Sequence, residues 1–378
     1  FIAAGTGFST AHTIDGGAGT DTVTLSGNAD FTASSDFDNA KNIEAITLSG
    51  RTTGTVTITT KDTLVAAGAT LTLTGVGSGG LTFNGSAETN GTLKITGGTG
   101  NDDITGGKGN DTFTFAAVSG LTKNDKVDGG TGTDTLALTG TTVFSAVDDF
   151  DNVKNIEIIT LANTTTNITI TTQNTLVASG ATLILTASSL TTGTLTFDGS
   201  AETDGAFNIT SSSTGADNIT GGQGNDTLNG GAGGNIISPG LGNDTIAGGA
   251  GNENFKFEAV TGLTSADTVD GSTGTDTVTL NGNTAFTASN DFDNIKNIET
   301  IAFTGRTTEI VTITTKDTLV ASAATLTLTN NGNSGVLTFI GSAETDGVFN
   351  ITGGSGNDSI TGGAGNDAIT GSSGNDLY

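Results

Sequence analysis

The sequence contains no cysteine, methionine or tryptophan, and one proline, one histidine and one tyrosine among 378 residues. Without cysteine there is no disulfide framework and no thiol nucleophile, so a chain working outside the cell needs another kind of cross-link. With His12 as its single histidine it has no H-E-x-x-H motif and no repeated Ser-His-Asp arrangement. Basic residues are also scarce: 12 Lys and Arg stand against 39 Asp and Glu, a formal charge of -27. That balance argues against nucleic acid as a partner, since phosphate-backbone binding needs clustered Lys and Arg, and favours cations. No apolar run approaches the roughly 20 residues of a membrane span and residue 1 does not begin a signal peptide, so no membrane insertion is expected.

What the chain has in quantity is glycine, 60 residues of it, with threonine, asparagine and aspartate, around a 33% hydrophobic fraction too regularly spaced for disorder. Long internal repeats are plain. "TIDGGAGTDTVTLSG" from residue 13 returns as "KVDGGTGTDTLALTG" from 126 and "TVDGSTGTDTVTLNG" from 268, and "FDNAKNIEAITLSG" from 37 recurs from 150 and 292. Three modules follow, residues 1–114, 115–256 and 257–378. The last stretch, "GNDLY", stands where a further module would begin, which points to a longer array.

Within each module a nine-residue phase dominates. Residues 212 to 256 divide into "SSTGADNIT", "GGQGNDTLN", "GGAGGNIIS", "PGLGNDTIA" and "GGAGNENFK". The template is G-G-x-G-x-D-x-U-x, with U apolar, and it occupies 7–24 and 97–114 in the first module, 120–137 and 212–256 in the second, and 262–279 and 353–378 in the third. A three-residue x-U-x strand is too short to stand alone, so copies must stack with U pointing into a shared core. The G-G-x-G-x-D segment then reverses direction in a small loop, which glycine permits. Such turns aim carbonyl oxygens inward. With one Asp per loop and loops about 4.8 Å apart, neighbouring turns offer about six hard oxygen ligands, which describes a calcium site. Glycine's entropy and the carboxylate repulsion are then offset by a bound ion, and folding becomes linked to Ca2+.

The pattern closely resembles the repeat-in-toxin (RTX, hemolysin-type) family of calcium-binding nonapeptide repeats. The resemblance implies an all-β fold, a parallel β-roll or β-helix solenoid in which two nonapeptides make one turn, with each calcium between one loop and the next on the same side. Carried over position by position, the acidic ligands are Asp21, Asp102, Asp111, Asp134, Asp217, Asp226, Asp244, Asp276, Asp358, Asp367 and Asp376, with Asp125 and Asp267 in the slot that His12 fills in the first module. Carbonyls of Gly97, Gly106, Gly221, Gly353 and Gly362 would complete the shells. The pairs Asp111 with Asp134, Asp226 with Asp244 and Asp358 with Asp376 stand out. Asn235 and Glu253 depart from the sixth position and Pro239 from the first, which weakens the loops that carry them, and no strong site is expected at His12.

Between cassettes, segments such as "TVTITT", "ATLTLTG" and "GLTFNGS" alternate apolar residues with threonine, the period of half-buried strands, and read as further solenoid coils. "GSAETDG" from 199 and 341 resembles a nonapeptide with an inserted residue, so Asp204 and Asp346 are expected to cap the site that follows; Asn90 replaces them in the first module. "KDTLVAAGATL" is expected to hold a helical turn capped by Asp62 or Thr63. Phe37, Phe150 and Phe292 read as interior aromatics, and Arg51 and Arg306 as solvated surface residues.

No catalytic role is expected: the acid pairs Asp36 with Asp38 and Asp149 with Asp151 suit turns better than acid-base chemistry. The resemblance implies an extracellular protein exported by type I secretion from a Gram-negative cell. It points to a surface layer, filament or adhesin stalk that self-associates through calcium. The alternative is a threonine-lined face for ice or glycan.

Overall fold

The computed structural model describes residues 2–4, 11–28, 30–31, 37–75, 77–116, 120–140, 144–146, 150–161, 167–187, 190–258, 262–282, 285–287 and 290–378. Among them there is no helix, and the strand pairs are parallel. The chain divides into two compact units, Phe1–Ser189 and Leu190–Tyr378, so the middle module is shared between them. Each unit is a parallel β-solenoid.

In the first unit, strands Thr22–Ser26, Ala45–Ser49, Thr70–Thr74, Thr92–Thr96, Thr112–Ala116, Thr135–Thr139, Ile158–Leu161 and Thr182–Ala187 follow one another across one sheet. The strands between them, Val56–Thr59, Leu81–Asn84, Asp103–Thr105, Lys126–Asp128 and Val153–Lys154, build a second sheet. Register gives the length of each coil. It is 18 residues from Lys94 to its partner Thr112, where nonapeptides run, and 22 and 27 from Thr72 to Lys94 and from Ala45 to Thr72, where they do not. The second unit repeats the design. Asn218, Ile236 and Asn254 stack at intervals of 18, then Thr277 and Thr300 at 23.

Because side chains alternate along a strand, parallel in-register stacking turns each inward position into a file along the solenoid. Val23, Ile46, Leu73, Ile95, Phe113, Leu136, Ile159 and Leu185 pair in sequence, and each is at most 1% exposed. Burial of each such side chain stabilises by about 1.5–3 kcal/mol. Phe37, Phe150 and Phe292 are fully buried, and Phe292 packs edge-on against Phe286 with ring centroids 5.8 Å apart.

Two sequence expectations are corrected. "KDTLVAAGATL" forms two successive tight turns, Leu64 N–H to Lys61 carbonyl and Ala69 N–H to Ala66 carbonyl, and no helix. Gly68 lies at φ 75°, which ends any helical run, and Asp62 accepts from Thr89 of the next coil rather than capping its own segment. Arg51 and Arg306 are buried, not solvated. Arg51 donates to the Gly27 carbonyl at 2.8 Å, and Arg306 lies over the Phe303 ring. Asp36 and Asp149 lie outside the described residues. Asp38 pairs with Lys61, and Asp151 accepts from Gln173.

Candidate calcium-binding turns

Most of the sixth-position acids do not point to solvent, while Asp21, Asp367 and Asp376 are half-buried. Asp102, Asp111, Asp134, Asp217, Asp226, Asp244, Asp276 and Asp358 are at most 1% exposed. Each reaches back to the preceding coil. Asp111 Oδ1 accepts the Leu93 N–H at 2.8 Å, and Asp134 Oδ1 accepts the Asp111 N–H at 2.7 Å. The same bond runs from Asp102 N–H to Asp125, Asp226 N–H to Asp244, Asp244 N–H to Asp267, Glu253 N–H to Asp276 and Asp358 N–H to Asp376. Asp217 and Asp367 accept from Leu195 and Phe349. The structure therefore brings together all three of the pairs singled out from spacing.

The sequence reading missed what ends each ladder. Glu44, Glu157 and Glu299 accept the N–H of Asp21, Asp134 and Asp276 at 2.7–2.9 Å. They belong to the recurrent "KNIE", whose Asn42, Asn155 and Asn297 sit at φ 53–55° and turn the chain inward. The signal was present: each Glu follows its Asp by 23 residues, one coil.

The second carboxylate oxygen separates two kinds of turn. In the first, Oδ2 accepts the N–H of the second-position glycine of its own motif: Gly98 to Asp102, Gly107 to Asp111, Gly222 to Asp226, Gly354 to Asp358 and Gly363 to Asp367, at 2.7–2.8 Å. In the second, that glycine has positive φ, as Gly17, Gly130 and Gly240 do, at 83°, 97° and 101°. Asp21, Asp134 and Asp244 then each keep a buried Oδ2 with no hydrogen-bond partner. Asp217 and both oxygens of Glu253 are in the same condition. Asp125 and Asp267 differ, since Thr122 and Thr264 N–H groups occupy their Oδ2 at 2.6 Å.

The electrostatics follow these bonds. Burial pushes Asp102 and Asp226 up from 3.8 to about 6, against the opposing pull of their glycine N–H groups. Asp134 and Asp244 lack that glycine bond and have acidic neighbours, and burial carries them to about 7. Burial also raises Asp111, Asp217 and Asp276, and Glu253 beside Asp276. Unpaired buried carboxylates of this kind call for a cation.

Carbonyl oxygens converge on the same places. A Cβ on Gly106 would collide with the carbonyl of Gly129 one coil on and lie 2.6 Å from Asp111 Oδ2. Gly221 meets the Pro239 carbonyl and Asp226 Oδ2, and Gly353 the Gly371 carbonyl and Asp358 Oδ2. Gly362 faces only its own Asp367, and Gly97 abuts the Phe115 ring instead. An all-oxygen set of backbone carbonyls and carboxylates suits calcium, and these residues fit it.

Other positions depart from this arrangement. Asn235 Oδ1 accepts from Asp217, but its Nδ2 points into the turn as a buried donor without a partner. His12 is exposed. Asp204 and Asp346 are exposed, and the inward acid of "GSAETDG" is the glutamate two residues earlier: Glu202 and Glu344, like Glu88, are at most 1% exposed. Their Oε1 accepts the N–H of Gly205, Gly347 and Gly91, because the inserted residue shifts which side chain faces in.

The family model of the RTX calcium-binding nonapeptide repeat matches residues 13–31, 94–117, 118–139, 211–246, 240–255, 258–283 and 350–378. No curated protein matches the chain.

Proposed function

From the premise that this chain carries RTX calcium-binding nonapeptide repeats in a β-solenoid, we propose that it is a structural segment of an extracellular bacterial surface protein. It forms part of a surface layer, filament or adhesin stalk, and it folds and assembles only with calcium. The observation that carries this reading is the set of buried, unpartnered carboxylate oxygens at Asp21, Asp134, Asp217 and Asp244. Calcium held by these acids and the glycine carbonyls supplies the missing charge and links folding to the metal. Cytosolic calcium is too low to fill such sites, so the chain, at -27, stays expanded by self-repulsion until it is exported, by type I secretion from a Gram-negative cell. No helix among the described residues is long and apolar enough to cross a membrane. We assign no catalytic activity: the sole histidine is exposed and has no counterpart in the other modules. Self-association follows from acidic faces that calcium bridges between chains.

A ligand-binding face is the weaker reading. One outward file of the first unit's long sheet, Thr22, Ala45, Thr72, Lys94, Thr112, Thr135, Ile158 and Ile184, is interrupted, but the file beside it runs Thr24, Thr47 and Thr74, then Thr96, Thr114, Ala137, Thr160 and Thr186, and this threonine row is what supports the second reading. A thermal-hysteresis assay tests it. The main proposal is tested by electron microscopy and circular dichroism in millimolar calcium beside an identical chelated sample. Sheets or filaments that vanish with chelator are expected; a full β spectrum in chelator overturns calcium-dependent folding, and dispersed particles in calcium leave the stalk and overturn the lattice.

A further inference from the structure

A different acidic cluster lies outside the nonapeptide turns and outside the matched segments. In the third module the tight turn of "GSAETDG" stacks on the "KDTLV" turn of the preceding coil. Thr345 donates its N–H and its hydroxyl to Asp317 Oδ1, each at 2.7 Å. Glu344 folds beneath the turn, where Oε1 accepts the Gly347 N–H at 2.8 Å. Its other oxygen, Oε2, is buried and has no hydrogen-bond partner, in a residue 1% exposed. One carboxylate oxygen from each of Asp317, Glu344 and Asp346 lies within 4.8 Å of the other two. Oxygens on one calcium at 2.3–2.6 Å stand at most about 5 Å apart, so this spacing is that of a shared ion.

We infer that Asp317, Glu344 and Asp346 bind a divalent, oxygen-preferring cation, calcium, at a corner of the coil distinct from the nonapeptide sites. The other two modules carry the same corner with different charges. In the first, Thr89 again donates N–H and hydroxyl to Asp62 Oδ1, at 2.7 and 2.6 Å, and Glu88 is again buried with an unpartnered Oε2. There Asn90 replaces the third acid, and Lys108 stands within electrostatic reach of Asp62. The position of Lys108 is fixed by its N–H bond to the Glu88 carbonyl at 3.0 Å, and the residue making that bond to Glu344 is Ala364. In the second module the set is Asn174, Glu202 and Asp204, with Gln223 in the lysine's place.

Only the third module therefore presents three carboxylates and no lysine in that place. Lys316, adjacent to Asp317 in sequence, is engaged 3.5 Å from Asp293. Where the protein drops a carboxylate at this corner it supplies a lysine or a neutral side chain; where it keeps all three, the compensating charge must come from solution. Asp317 and Asp346 are exposed while Glu344 is not, so the ion is open to water on one side and completes its shell with it. Such a partly hydrated site belongs with extracellular modules that fill at about millimolar calcium.

Calcium bound per full-length chain, measured by equilibrium dialysis at saturating calcium, tests the assignment. The double variant Asp317→Asn/Asp346→Asn is expected to bind one calcium fewer than the wild type, with an unchanged β spectrum. The pair Asn90→Asp/Lys108→Ala is expected to bind one more, and it decides the matter if the first variant fails to fold. Counts equal to wild type in a wild type that binds several ions overturn this corner site alone. A wild type that binds no calcium overturns both it and the calcium-dependent folding proposed above.

Discussion

The metal-free chain is expected to gain stability as the pH falls from about 7 to about 4, the reverse of ordinary acid denaturation. Asp134 and Asp244 are buried, lack a second-position glycine N–H, and have carboxyls pushed from 3.8 to about 7. A folded-state value above the unfolded one means that the folded chain binds more protons between the two. The contribution is fully present below about 4, where both states are protonated, and is lost as the pH rises through about 7. Each shift of about 3 units corresponds to about 4 kcal/mol at most. Asp102 and Asp226, at about 6, contribute in the same direction over a narrower window. Urea unfolding in EDTA at pH 4.5, 6 and 7.5 measures this, with Asp244→Asn as control. Asn at 244 keeps an oxygen for the Asp226 N–H and removes one titrating group, so the slope against pH flattens; general charge repulsion would leave it nearly unchanged. Calcium inverts the dependence, since its ligands must be deprotonated. Stability that rises with pH in EDTA would refute the reasoning, because the buried carboxylates would then be ionised and compensated without a cation.

Asn235→Asp replaces a buried amide whose Nδ2 has no partner by a carboxylate in the same ladder; melting temperature rises in millimolar calcium and falls in chelator, by differential scanning calorimetry. Gly106→Ala drives a Cβ into the Gly129 carbonyl of the next coil, a backbone atom that cannot swing aside, and costs about 3 kcal/mol in chemical unfolding. Glu157→Ala leaves the buried Asp134 N–H without its acceptor and costs about 1–3 kcal/mol, while Glu157→Gln restores most of that.

The nonapeptide phase was legible because it is a covalent count of stacking: 18 residues bring Lys94 to Thr112 and Ile236 to Asn254. The pairs Asp111 with Asp134 and Asp226 with Asp244 follow from that count and one longer coil. Less legible was everything that depends on which way a turn faces. Asp204 and Asp346 stand at ligand positions by spacing, yet one inserted residue hands the inward place to Glu202 and Glu344 and leaves Asp346 at the exposed corner beside Asp317. Arg51 and Arg306 looked solvated because their type usually is, but the coil wall offers a carbonyl to one and an aromatic ring to the other. The "KDTLV" turns invite a helix cap, but the Asp62 carboxylate is taken by Thr89 of the next coil. Such outcomes are set by contacts one coil away, which a local motif does not contain.

Why the glycines recur in phase has a more specific answer than flexibility. At first, second and fourth motif positions such as these, neighbouring coils approach so closely that a Cβ on one glycine meets the carbonyl of its counterpart: Gly106 on Gly129, Gly130 on Gly107, Gly132 on Gly109. The carbonyls are thereby packed into the turn beside the carboxylates. Positive φ at Gly130 and Gly240 then withdraws the N–H that would satisfy Oδ2, and Asp134 and Asp244 keep a bare oxygen. The pairs alternate, a satisfied Asp111 or Asp226 followed one coil later by a bare Asp134 or Asp244. Each bare acid also holds the backbone N–H of its satisfied partner. Neutralising one carboxylate with calcium therefore steadies two coils, and because Asp134 and Asp276 are in turn held by Glu157 and Glu299, the effect extends past the last nonapeptide into the coils that have none.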